Sequence, residues 1–141
     1  LAIELALWFH DAVYDTRAHD NEQKSAELAR SALPAIDVTT LDRIEALILA
    51  TRHDTVPDDP GEQVMADVDL AILGAPAERF EAYETQIRRE YAWVDEVEYR
   101  GGRSKVLAGF AARERIYATP YFHDLLEERA RSNIERSMAR L

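Results

Sequence analysis

With 141 residues, 47% of them hydrophobic, the chain is long enough for one domain with its own core and too apolar to be disordered. Acidic residues outnumber basic ones 27 to 17, and the net charge of −10 disfavours general binding to the phosphate backbone of nucleic acids. Cysteine is absent, which excludes disulfides and thiolate zinc sites, and no run approaches the ~18 consecutive apolar residues of a membrane span.

The expected elements are helical throughout. Leu1 to about Val13 carries a single charge, Glu4, before His10, so it is apolar almost all round and predicts a central helix. It has no basic residues before it and no small-residue cleavage site after it, so it does not read as a secretory leader. A cytoplasmic protein without membrane attachment is the expectation. Asp20 and Asn21 suit the cap of a second helix that carries Ala26, Leu28, Ala29 and Leu33 and stops at Pro34. Thr39 with Asp42 three residues on resembles a capping box for a third helix, with Leu41, Ile44, Leu47 and Ile48 on one side.

From His53 to Glu62 the polar, Pro- and Asp-rich run HDTVPDDPGE predicts a loop. A fourth helix is expected from about Val64 to Leu73, stopped by Gly74. Pro76 suits the first turn of a fifth helix, in which Phe80, Tyr83, Ile87, Tyr91 and Val94 keep helical spacing. These aromatic residues read as core, with Trp93 left off the stripe. Gly101 and Gly102 punctuate before a sixth helix with Val106, Leu107, Phe110 and Ala111. Thr119-Pro120 then opens a last helical region running to the C-terminus. The fold expected is an all-α, single-domain bundle.

The histidines are His10, His19, His53 and His123. His10 is followed at once by Asp11 at the end of an apolar helix. Burying an imidazole and a carboxylate there costs several kcal/mol unless each finds a partner. A divalent cation is one partner, and ordinary hydrogen bonds are another. In VMADVDLAIL, Asp67 and Asp69 lie on opposite edges of the stripe Val64, Met65, Val68, Ala71 and Ile72, at about 100° per residue. Leu73 extends the apolar sector on the Asp69 side, which makes Asp69 the more enclosed acid and the better ligand candidate. His53 closes the third helix, where the helix dipole favours an imidazolium; it also suits a group reaching into a shared site. His19 and His123 stand in polar, turn-like surroundings and read as surface residues.

The blocks LALWFHDAVYDTRAHDNEQKSAELA, ILATRHD, DVDLAILGAP, IRREY, RERIYATPYF and ARSNIERSMARL, in this order, resemble a bacterial family of predicted HD-superfamily metal-dependent phosphohydrolases. The resemblance spans essentially the whole chain. It implies a helical HD-type domain over residues 1–141 and a metal held by a His, a His-Asp doublet and a distant Asp. Here the doublet is His10-Asp11, and the distant acid is Asp69.

The resemblance further implies a divalent metal (Mn, Mg, Co, Ni, Fe or Zn), a metal-activated water and a small phosphorylated substrate. His53 matches a histidine that supports metal or phosphate in relatives, and Asp20 and Glu22 become candidates to position water, although capping also explains them. Arg17, Lys24 and Arg52 are the nearest cations for phosphate oxygens, while solvated surface is the plainer reading of each. No phosphate-cradling glycine loop occurs, so a P-loop triphosphatase is excluded. The signature's first histidine belongs to a helix upstream of the doublet, and no residue before His10 replaces it. With Leu rather than Met at position 1, the expectation is a fragment lacking that helix, with an incomplete, weakly binding site. The alternative is a non-catalytic helical binding module with a degraded HD site.

Overall fold

The computed structural model describes residues 1–141 and contains seven α-helices, two 3₁₀ turns and no strand. The chain divides into two compact units, Leu1–Asp69 and Leu70–Leu141.

In the first unit, α1 (Ala2–Phe9), α2 (Asn21–Ala32), α3 (Val38–Leu49), a 3₁₀ turn (Ala50–Arg52) and α4 (Pro60–Asp69) enclose one core. Ala6, Ala26, Ala29, Leu41, Ile44, Leu47, Ile48 and Met65 form it, with α3 packed against both α1 and α2. The small residues on α1 and α2 let the backbones approach, while the branched side chains of α3 fill the space between them.

Several boundaries differ from the sequence expectation. α1 ends at Phe9 rather than near Val13, and it is not buried all round: only Ala6 is enclosed, and Trp8 is 83% exposed. Eight residues make about two turns, and only one side of them meets the core. α2 starts where expected, but the Asp20 side chain makes no cap bond and pairs instead with Lys24 Nζ at 3.0 Å. α3 is capped by Asp37, not by a Thr39–Asp42 box. The Asp37 carboxylate accepts from the Thr40 N–H at 3.0 Å and from the Thr40 hydroxyl at 2.8 Å, while Asp42 accepts from Arg30 at 2.6 Å. α4 begins before Val64 because Asp59 accepts from the N–H groups of Gly61 and Glu62 at 2.8 and 3.0 Å. That carboxylate satisfies donors a helix start would otherwise leave open.

In the second unit, a 3₁₀ turn (Leu70–Gly74), α5 (Ala77–Glu90), α6 (Glu96–Ala111) and α7 (Pro120–Met138) surround Leu70, Leu73, Phe80, Leu107, Ile116, Tyr117, Leu126, Ala130 and Ile134. Thr119 and Pro120 open α7 as expected, with the Thr119 hydroxyl accepting from the Phe122 N–H. Pro76 is the N-cap of α5 rather than part of its first turn. α5 stops at Glu90, so Tyr91 and Val94 lie beyond it; the Arg88 guanidinium donates to their carbonyls at 2.8 and 3.3 Å. Phe80 is buried and Trp93 exposed, in keeping with the spacing.

Gly101 and Gly102 do not punctuate; α6 runs straight through them. Asp95 starts that helix by accepting from the N–H groups of Val97 and Glu98, and buried Tyr99 and Leu107 anchor it. Packing of this kind outweighs a low propensity at two positions. The segment between α6 and α7 is tied down by Glu127, whose carboxylate accepts from the N–H groups of Ile116 and Tyr117 at 3.0 and 3.1 Å. Burial opposes the charge on Glu127, but these N–H donors and Arg131 outweigh it and hold the carboxyl below its usual range. Every buried side-chain nitrogen and oxygen has a hydrogen-bond partner.

Candidate metal centre

His10 is the C-cap of α1, and its backbone remains helical, with the N–H donating to Ala6 O at 2.9 Å. The helical spacing that puts residue 10 one turn beyond residue 7 lets its ring Nδ1–H donate to the Leu7 carbonyl at 2.9 Å. The ring is thereby aimed, and Nε2 faces two carboxylates, with Asp11 Oδ2 and Asp69 Oδ1 each at 3.3 Å. Asp11 follows directly in the chain, whereas Asp69 arrives from the last residue of α4.

The second oxygen of Asp69 is also used. Its Oδ2 accepts from His53 Nε2–H at 2.7 Å. His53 closes the 3₁₀ turn after α3 with φ of 58°, the only positive φ among the non-glycine residues. A left-handed conformation is uncommon for a side-chain-bearing residue and costs on the order of 1 kcal/mol. It ends the turn abruptly and points the imidazole back toward α4.

The hydrogen bond to Asp69 raises the His10 pKa to about 9 against the opposing effect of burial, with the Leu7 carbonyl and the Asp11 charge adding to it. Burial by itself would push Asp69 upward, but hydrogen bonds from His10 and His53 outweigh it and hold the carboxyl at about 2. At neutral pH the metal-free cluster is therefore a charged imidazolium between two carboxylates.

His10, Asp11 and Asp69 each present one donor atom, and all three atoms lie within 4.8 Å of one another. Two donors each about 2.1 Å from a single ion stand about 3.0–3.4 Å apart in octahedral or tetrahedral geometry. Both 3.3 Å separations from His10 fall in that range, so the imidazole and either carboxylate suit one divalent cation once Nε2 gives up its proton, and the three groups together could hold it. Neutral imidazole with carboxylate oxygen suits first-row transition ions.

Other expectations fare differently. Asp67, not Asp69, is the more enclosed acid: Asp67 is 1% exposed, against 25% for the Asp69 side chain. The reason is the helix end. α4 buries Met65, Ala66 and Asp67, and the switch to 3₁₀ geometry at Leu70 breaks the stripe drawn through Ala71 and Ile72. Asp69 nonetheless is the acid brought to the doublet.

Glu22 lies partly exposed in the first turn of α2 and is outside the cluster. Arg17 and Arg52 are exposed. Arg52 borders a separate cavity of roughly 280 Å³ with Asp54, Thr55, Pro57 and Glu62, and Lys24 is held by Asp20. His19 is exposed, while His123 is half-buried beside Asp124 at 3.2 Å; neither joins the cluster.

Asn21, expected only as a cap, and Ser25, which sequence reading passed over, both bond the loop before α2. Asn21 Oδ1 accepts from the Asp15 N–H at 3.0 Å while its Nδ2 donates to Asp15 O at 2.9 Å. The fully buried Ser25 hydroxyl accepts from the Val13 N–H at 3.0 Å and donates to Val13 O at 3.3 Å. The signal for them was a pair of small polar residues one turn apart on the face that also carries Ala29.

Fold and geometry together define the class: an all-helical protein with a candidate His/Asp metal centre. Among known proteins, the chain matches no family model, no curated protein and no solved structure.

Proposed function

We propose that this chain is a divalent-metal-dependent phosphohydrolase of the HD type, with residues 1–141 as its HD-type helical domain and the site within the first unit. The observation that carries the reading is the convergence of His10, Asp11 and Asp69, with each carboxylate 3.3 Å from His10 Nε2 and all three donor atoms within 4.8 Å of one another. His10 and the two carboxylates would hold the metal, and a bound divalent ion supplies an acidified water and neutralises charge on a phosphate oxygen.

Within this reading the chain's own groups have distinct tasks. The Leu7 carbonyl keeps the His10 proton on Nδ1, leaving Nε2 free to ligate. His53 holds the far oxygen of Asp69, so the near oxygen keeps its direction. Asp11, much the most exposed of the three, stands on the open side, where substrate and water arrive. Glu22 is the acid proposed to orient water. Arg17 and Arg52 are the cations proposed for the remaining phosphate oxygens, joined by Lys24 if it exchanges Asp20 for phosphate. The substrate class is a small phosphate ester or nucleotide. No helix is long and apolar enough to cross a membrane, in keeping with a proposed cytoplasmic site of action.

The test is metal analysis of the purified protein together with a panel of phosphate esters and nucleotides in Mn²⁺, Mg²⁺, Co²⁺ or Ni²⁺. Hydrolysis that disappears in His10→Ala and in Asp11→Ala supports the proposal, and hydrolysis surviving both removes these residues from the chemistry. Metal binding without turnover of any ester would favour the non-catalytic binding module.

A further inference from the structure

We propose that the second unit carries a binding site for a phosphorylated small molecule, in a cavity walled by α5, α6 and α7. The cavity measures roughly 450 Å³, within the range of small-ligand sites. Five arginines line it, against three glutamates. Counting side chains, its wall carries an excess of two positive charges in a chain whose net charge is −10. No residue of the His/Asp cluster lines it, so this site does not depend on the metal reading.

The three glutamates already have partners. Glu81 pairs with Arg140 at 3.1 Å, Glu96 with Arg88 and Arg100 at 3.1 and 2.8 Å, and Glu84 with Arg103. Arg89 and Arg136 are left without a carboxylate. Helix C-termini favour cations, which accounts for Arg88, Arg89 and Arg136 in the last turns of α5 and α7. It does not account for their gathering around one cavity. Arg136 and Arg140, four apart on α7, also repel each other unless an anion stands between them.

Two of the guanidiniums are fixed in advance. Asn133 is fully buried, and its Nδ2 donates to Leu73 O and Ala75 O at 2.8 and 2.9 Å. Its Oδ1 is thereby turned to accept from Arg136 Nη2. That bond uses one of five guanidinium N–H groups and leaves four. Arg88 donates to the carbonyls of Tyr91 and Val94 and lies over the Tyr99 ring, 4.6 Å from its centroid. Guanidiniums held in place lose less freedom when an anion arrives.

The charge and the wall select the ligand. A phosphate monoester concentrates nearly two negative charges and three acceptor oxygens on one group, whereas a carboxylate or sulfate ester brings one charge. The dianion matches the two guanidiniums that have no carboxylate, each able to present a fork of N–H donors. Phe80 and Tyr99, both buried, also line the cavity and offer apolar surface to the organic part of the molecule.

The test is titration calorimetry with phenyl phosphate, at constant ionic strength and in EDTA, so that no metal centre takes up the probe. Saturable binding is expected. Arg89→Gln and Arg136→Gln should each weaken it roughly tenfold to 100-fold, as loss of a charge-assisted hydrogen bond does. Both side chains are exposed, so neither change opens the core. Arg79→Gln removes the same charge from an exposed position of α5 that does not line the cavity, and should leave the affinity unchanged. Phenyl sulfate, of the same shape with one charge fewer, should bind about tenfold more weakly or worse. Inorganic phosphate, which lacks the ring, should also bind more weakly. No saturable binding by the wild type, or equal losses in all three variants, would overturn the site. Phenyl sulfate binding as tightly as phenyl phosphate would overturn the phosphate assignment, and inorganic phosphate doing so would overturn the organic one.

Discussion

At His10, a proton and the proposed cation would compete for the same nitrogen. The residue's ordinary pKa of 6.5 is raised to about 9, so the interaction with the carboxylates contributes stability that is complete below pH 6.5 and lost as pH rises through 9. Asp69 works in the opposite sense. Held at about 2 instead of 3.8, it contributes stability above pH 3.8 that is lost as pH falls through 2. The two shifts share one ion pair and are not additive. In metal-free protein the thermal midpoint should therefore decline between pH 6.5 and 9, and this decline should vanish in His10→Ala. Metal affinity should follow the reverse course. Because binding expels the Nε2 proton, affinity should rise by up to about tenfold per pH unit toward 9, measurable by titration calorimetry in buffers of different ionisation enthalpy. His53 adds a geometric constraint. His53→Ala frees Asp69 Oδ2 and should weaken metal binding about tenfold or more, whereas His53→Gly should do the same while easing the positive φ.

Among the elements, the glycines separate two kinds of position. Gly101 and Gly102 lie inside α6, and a Cβ at either would meet nothing within 4 Å. Alanine there should stabilise the protein by about 0.5–1 kcal/mol per site, read as a higher denaturation midpoint at an unchanged slope. Gly74 is the contrary case. A Cβ there would stand 2.7 Å from Leu126 Cβ and 3.0 Å from the Leu126 carbonyl oxygen, within the contact between the 3₁₀ turn and α7. Gly74→Ala should destabilise by about 1–3 kcal/mol, because backbone cannot yield as a flexible side chain can. The same chemistry thus has opposite signs at two glycines, and their surroundings decide which.

For the whole molecule, the metal reading has a thermodynamic consequence. A cation that binds only the folded site stabilises by about 2.7 kcal/mol at one hundred times its dissociation constant. For a chain of this size that corresponds to a rise in the unfolding midpoint on the order of 10 °C for the unit holding the site. Calorimetric scans with and without Mn²⁺ or Co²⁺ should show it, and His10→Ala should abolish it. The net charge of −10 acts in the same direction, since an acidic surface concentrates cations near the site.

How much of this was legible beforehand depended on distance along the chain. Helical periodicity, caps such as Thr119 and the core face of α3 are local, and short-range spacing reports them, whereas on α2 Ala26 and Ala29 are buried but Leu28 is exposed. The doublet His10-Asp11 could be singled out because polar groups at the end of an apolar helix need partners. Helix ends were less legible. Asp37 caps where the pattern suggested Thr39 and Asp42, Asp59 starts α4 inside the run read as a loop, and α6 ignores two glycines, because packing and competing hydrogen bonds choose among similar local options. Only the tertiary structure brought Asp69 and His53 to the doublet, placed Asp67 deeper than Asp69, and laid the loop after Asp11 along Asn21 and Ser25. Those facts depend on how α4 ends and how α2 meets the loop, and both are set by contacts between residues far apart in the chain.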